Sequence, residues 1–165
     1  MSPAATLTHR VWRVGDDIDT DALAPGAYMK FGIAEIASHC LQRVRPEFAG
    51  QVQRGDVLVA GRSFGLGSSR EQAAAALVHL GVAAVIAPSF SGLYFRNAFN
   101  VGLLLLTCPQ AGELAEGERI GLDPDGGRIL RAGQSLACEP VPPFLMDMVR
   151  AGGLLPLLKA RRPSA

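Results

Sequence analysis

The apolar positions of this chain fall into short runs at strand spacing, separated by segments at helical spacing. Leu7–Val14 reads as a first strand, and an acidic loop follows from Gly15 to about Lys30, broken by Pro25 and Gly26. Ile33, Ile36, Ala37, Cys40 and Leu41 recur at helical intervals and predict a helix over 33–41. Val57–Ala60, set between Gly55 and Gly61, is a short apolar strand. The loop Gly61–Gly67 then opens a predicted helix over Ser69–Leu80, stopped by Gly81. Ala83–Ala87 and Leu103–Leu106 read as buried strands, with a helix over Ser91–Asn100 between them, closed by Gly102. This strand–helix alternation predicts parallel pairing with right-handed crossovers.

After Glu118 the character changes. Arg119–Leu122 and Arg128–Leu130 flank Asp-Pro-Asp-Gly-Gly and read as a hairpin, with one more strand over Gln134–Glu139. Pro143–Ala151 predicts a last helix, with proline in its first turn and Gly152 beyond its end. The expectation is one mixed α/β domain over 1–165, with its core at about 7–140, a mostly parallel sheet, an appended antiparallel β region and a flexible tail at 160–165.

Composition narrows the function classes. With 48% hydrophobic and 19% charged residues in 165, the chain is globular and long enough for its own core. Sixteen basic residues against fifteen acidic leave no field to attract nucleic acid or an anionic membrane. Lys159, Arg161 and Arg162 form the nearest thing to a basic patch and read as a solvated tail. Cys40, Cys108 and Cys138 are scattered, with no C-x-x-C and no zinc spacing to a histidine, which suits buried thiols in a reduced, cytoplasmic protein. The chain carries no usual ligand set for a metal or an iron–sulfur cluster. Met-Ser-Pro-Ala-Ala-Thr at the start does not read as a signal peptide, and the apolar run Leu103–Leu106 is far too short to span a bilayer.

The informative stretch is Arg62-Ser-Phe-Gly-Leu-Gly-Ser-Ser-Arg-Glu-Gln72, where a buried strand ends and a helix is predicted to begin. Unpaired N–H groups at a helix start favour carboxylate or phosphate. Gly65 and Gly67 would let a ligand approach the backbone, Ser68 and Ser69 add hydroxyls, and Arg70 adds a planar cation suited to a carboxylate. A P-loop is excluded because no Gly-Lys-Ser/Thr is present, and a dinucleotide fingerprint because Arg70 stands where its third glycine belongs. A bland alternative stays open: Ser68-x-x-Glu71 and Ser69-x-x-Gln72 are both capping boxes, and a capping serine needs no function.

The acidic segment Gly15-Asp-Asp-Ile-Asp-Thr-Asp21 lacks the features of a calcium loop, having Ala22 at the turn glycine and Tyr28 at the bidentate glutamate position. It reads better as a turn whose carboxylates satisfy their own backbone. His9, His39 and His79 are scattered and read as structural, with His79 near the C-terminal end of its helix.

These residues resemble a known family. Gly67-Ser68-Ser69-Arg70-Glu71, preceded by Arg62-x-Phe64-Gly65, is similar to the signature of the aconitase swivelling domain. Asp19-Thr20-Asp21 with Pro25, then Ala84-Val-Ile-Ala-Pro-Ser-Phe90, Arg96-Asn97 and Gly102-Leu103 extend the resemblance over roughly Val14–Leu106. The stand-alone length is similar to the small subunits of 3-isopropylmalate dehydratase and its homoaconitase-like relatives. The chain departs from the pattern at Gln72, where many relatives carry histidine, at Leu66, where cysteine or glutamate is common, and at Ala27, where a basic residue is frequent.

The resemblance implies a three-layer β/β/α swivelling domain and a hydro-lyase of branched-chain amino-acid (leucine) biosynthesis, active only with a large subunit. It implies no cofactor on this chain and a [4Fe–4S] cluster on the partner, whose open iron assists the departing hydroxyl. It assigns Ser68 as the base, with Gly67, Ser69 and Arg70 on the substrate and Gly65, Glu71, Asp19, Thr20 and Asp21 in support. The loop around Lys30 would meet the variable part of a di- or tricarboxylic acid: apolar residues there suit an isopropyl group, and a cation suits a further carboxylate. 3-Isopropylmalate, 2-methylmalate, 2,3-dimethylmalate and homoaconitate all stay open as substrates. Two other readings stand beside this one: a carboxylate-binding module without catalysis, and a plain α/β domain whose Ser-Ser-Arg turn only caps. Alone, the chain is expected to be inactive and able to self-associate through the surface meant for its partner.

Overall fold

The computed structural model describes residues 7–162, so the first six residues and the end of the expected flexible tail lie outside it. Seven strands form one continuous, curled sheet: β1 His9–Arg13, β2 Val57–Val59, β3 Ala84–Ala87, β4 Leu104–Thr107, β5 Arg119–Asp123, β6 Arg128–Arg131 and β7 Gln134–Ala137. Their spatial order is β4-β3-β2-β1-β5-β6-β7. The expected parallel half and antiparallel appendage meet at β1, which runs parallel to β2 with Val11 opposite Val57 and antiparallel to β5 with His9 opposite Ile120. Every residue of β2 and β3 is buried, as parallel strands covered on both faces require, which is why they read as unbroken apolar runs.

The helices are α1 Thr20–Leu23, α2 Ile33–Ser38, α3 Phe48–Gln51, α4 Gln72–His79, α5 Gly92–Asn100, α6 Pro143–Ala151 and α7 Leu154–Ala160, with a 3-10 helix over Gly26–Phe31. The acidic loop is therefore more ordered than its sequence suggests. Asp19 caps α1 through Oδ1 to Ala22 N at 2.7 Å, and the 3-10 turn follows. α2 stops three residues early because Leu41 adopts φ +61 and donates its N–H to Ala22 O at 2.8 Å. His39 beyond it stacks on Tyr28 with ring centroids 3.6 Å apart. α3 and α7 lie in stretches without a helical reading. α7 turns the basic cluster into a docked helix end: Lys159 lies inside it, and Arg161 pairs with Asp147 of α6 at 2.8 Å. Among the described residues, no helix is long and apolar enough to cross a membrane.

One buried polar knot fixes β1 to the chain before β2. Asp56 Oδ2 accepts from Trp12 Nε1 at 2.8 Å, Gln53 N at 2.9 Å and Arg10 Nη2 at 2.9 Å. Burial works against its charge, but these donors outweigh burial and hold the carboxyl below its usual range. A depressed folded value stabilises the fold above the unfolded value of about 3.9, and that gain is lost as pH falls through the folded value. Asp56→Asn is expected to cost about 1–2 kcal/mol at pH 7. Urea denaturation at two pH values checks this: the gap to wild type should narrow below about pH 4, and a gap independent of pH would assign the loss to packing.

Candidate functional site

The chain leaves the C-terminal ends of β1, β2 and β3 into three loops that meet at one edge, the usual place for ligands on parallel sheets. The loop after β2 is zipped to the segment after β1 by Gly65 N to Ile18 O at 2.7 Å and Thr20 N to Leu66 O at 2.7 Å. On its other side, Phe64 N donates to Ser89 O and Ser91 N to Phe64 O. Asn97 of α5 donates to Ser69 O at 3.2 Å.

These tertiary bonds override both capping boxes. α4 begins at Gln72, its N-cap is Glu71, and no side chain caps it. Ser68 and Ser69 therefore lie in the loop ahead of the helix, both exposed. This corrects the reading of a serine at the helix tip. Instead, the N–H groups of Gly67, Ser68 and Ser69 donate to no described residue and form a short unpaired stretch of backbone donors. Ser68 Oγ lies 3.5 Å from Thr20 Oγ1, a long contact that leaves the hydroxyl available.

Both glycines are required by the fold itself. Gly65 is buried at φ +88, and a Cβ there would fall 2.2 Å from Tyr94 Cγ. Gly67, at φ +111, would put a Cβ 2.9 Å from Thr20 Oγ1.

Arg70 turns back toward the acidic segment. Its Nη1 donates to Ala24 O at 2.7 Å and to Asp21 Oδ1 at 3.2 Å. The Nε/Nη2 edge has no acceptor among the described residues, and the side chain keeps 24% exposure, so that edge remains able to take a carboxylate side-on. Asp21 also faces Arg43 at 3.3 Å, with Asp19 at 3.7 Å from the same guanidinium. The Gly26 N–H bonded to Asp21 does most to hold its carboxyl below the usual range, partial burial opposes this, and Arg70 and Arg43 reinforce it. Asp19 and Asp21 thus satisfy their own backbone, as the acidic pattern predicts, while also anchoring two arginines.

Glu71 and Gln72 form one wall of a groove of about 480 Å³, with Met29, Gly32, Ile33, Ile36 and Ala75. Lys30 is exposed, with its ammonium 5.2 Å from the centre of the Phe31 ring, and it is Met29 of the same turn that lines the groove. Sequence reasoning missed Tyr94, Arg43 and the role of Asn97. Each acts across more than twenty positions of chain, and no local spacing marks them. The cysteines do not fit cluster ligation: all three are free and buried, with burial pushing Cys40 up to about 12 and Cys138 up to about 11.

Comparison with known proteins agrees with the motifs. The Aconitase C-terminal domain family matches residues 42–111. The methanogen homoaconitase small subunit of Methanothermobacter thermautotrophicus is 44% identical over 88% of this chain and 86% of its own. The 3-isopropylmalate dehydratase small subunit 1 of Archaeoglobus fulgidus is 41% identical over 94% of this chain and 99% of its own. The crystal structure of 3-isopropylmalate dehydratase from Methanocaldococcus jannaschii superposes with a TM-score of 0.86 at 40% identity, covering 93% of both chains. On sequence, fold and motif together, the chain belongs to the aconitase family, among the separate small subunits of its hydro-lyases.

Proposed function

We propose that this small subunit brings a serine base and a carboxylate-gripping arginine to a substituted malate held against a large subunit, with 3-isopropylmalate as the substrate. The observation that carries the reading is the exposed Ser68 hydroxyl two residues from an arginine whose bidentate edge is free. Arg70 fixes the substrate carboxylate, and Ser68 Oγ, as the alkoxide, takes the proton from the adjacent carbon and becomes the neutral hydroxyl. A [4Fe–4S] cluster on the large subunit would supply a Lewis acid for the departing hydroxyl. The groove beside the site, walled by Met29, Ile33 and Ile36, suits a branched apolar substituent.

A second substrate, homoaconitate, is favoured by one observation: Lys30 is an exposed cation on the same turn as Met29, which lines the groove. Co-purification with the large subunit under anaerobic conditions, followed by turnover assays on 3-isopropylmalate, homoaconitate, 2-methylmalate and 2,3-dimethylmalate, separates the two. Failure to turn over any of them would return the chain to the reading of a carboxylate-binding module, against which its place among hydro-lyase subunits already counts.

Arg70→Lys is expected to raise KM about 10- to 100-fold with a smaller change in kcat, because an ammonium cannot present two parallel donors. Steady-state kinetics of the reconstituted complex checks this, and an unchanged KM would leave Arg70 a purely structural residue.

A further inference from the structure

We infer that Asp21 is a positioning residue that binds the Gly26–Phe31 turn and Arg70 into one unit, so that the turn lining the substrate groove also sets the angle at which the arginine meets the substrate carboxylate. The inference rests on the reading of Arg70 as the carboxylate grip.

One oxygen does the joining. Asp21 Oδ1 accepts from Gly26 N, the first residue of the turn, at 2.9 Å and from Arg70 Nη1 at 3.2 Å. Ala24 O takes the same Nη1 at 2.7 Å, which fixes the guanidinium by one nitrogen and leaves its Nε/Nη2 edge for the ligand. Arg43 faces Oδ2 at 3.3 Å, so the carboxylate stays ionised between two cations. Met29, three residues beyond Gly26, lines the groove that Glu71 and Gln72 complete next to Arg70. A shift of the turn therefore moves Asp21, and Asp21 carries Arg70 with it. Stability does not explain the arrangement, because the Asp21 side chain is 52% exposed and exposed ion pairs contribute little. Its worth lies in holding a flexible cation in one orientation before substrate arrives.

The test uses the complex reconstituted with its large subunit, with 3-isopropylmalate and homoaconitate as probes. Asp21→Asn keeps an oxygen for Gly26 N–H and removes the charge that orients Arg70. KM is expected to rise about tenfold on whichever substrates are turned over, with kcat changed less than about threefold. In an Arg70→Lys background the same substitution should add less than about threefold, since the two act as one unit. Gly26→Pro removes the N–H that ties the turn and sets a ring carbon where that hydrogen faced Asp21 Oδ1, so the carboxylate must leave the turn. Pro25, extended at φ −59 and ψ 135, tolerates a proline after it, so the substitution acts through the contact with Asp21. It is expected to change KM by about threefold or more, and it decides the matter if Asp21→Asn assembles poorly. KM values within twofold of wild type in both variants, or full additivity with Arg70→Lys, would overturn the inference. If Arg70→Lys itself leaves KM unchanged, the reading of Arg70 falls and the inference falls with it. If Arg70→Lys raises KM and the Asp21 and Gly26 variants do not, the inference alone is lost.

Discussion

Ser68→Ala is expected to lower kcat of the reconstituted complex by about 10²- to 10⁴-fold, the usual contribution of a positioned base, while folding and assembly persist. The structural side follows from exposure: among the described residues the hydroxyl reaches only Thr20 Oγ1, at 3.5 Å, so its removal orphans no buried partner there. The chemical side follows from what surrounds it. A serine hydroxyl is a weak base in water and needs its anion stabilised. The helix dipole is not at hand, because α4 starts four residues later. In the proposed reading, the unpaired N–H groups of Gly67–Ser69 and the guanidinium of Arg70 would supply positive potential in its place. Single-turnover rates on 3-isopropylmalate, alongside circular dichroism and co-purification yield, separate lost chemistry from lost structure. A variant retaining rates within about threefold of wild type would not be missing its base.

The distinction between helix tip and loop also marks how far the sequence could be read. The parallel strands were legible because β2 and β3 are buried on both faces and so carry no polar residue. α5 and α6 were legible because Gly102, Pro143 and Gly152 are local signals, and local signals suffice where nothing distant competes. The start of α4 was misplaced by three residues for the opposite reason. Its capping boxes are sound locally, yet bonds with Thr20, Asn97 and Ala24 hold 66–70 in a bent, non-helical loop. Those partners sit 28 to 46 positions away, and no period or spacing reports them. The proposed site residues were singled out by their types, two hydroxyls, an arginine and glycines after a buried strand. Their orientation was not legible: Arg70 bends toward Asp21, and Met29 rather than Lys30 lines the groove.

Gly65→Ala should destabilise the domain by about 3–4 kcal/mol, combining overpacking with a left-handed backbone that a side chain resists. At φ +88 the new Cβ would lie 2.2 Å from Tyr94 Cγ and 2.4 Å from Tyr94 Cβ. Tyr94 cannot yield cheaply: it is 1% exposed, its hydroxyl donates to Ala73 O at 3.1 Å, and its ring meets Phe64 edge-on at 5.3 Å. The loop must move instead, and moving it strains the bonds from Gly65 N to Ile18 O and from Thr20 N to Leu66 O. Ser68 stands three residues further along that strained path. Thermal unfolding is expected to fall by roughly 8–15 °C for a domain of this size, with kcat reduced at temperatures where the variant is still folded. A melting point within about 3 °C of wild type would show that Tyr94 relaxes, and Gly65 would then be free of the constraint. The glycine that looks in sequence like room for a ligand is, in the fold, room for a tyrosine, and that tyrosine ties α4 and α5 to the loop that carries Ser68.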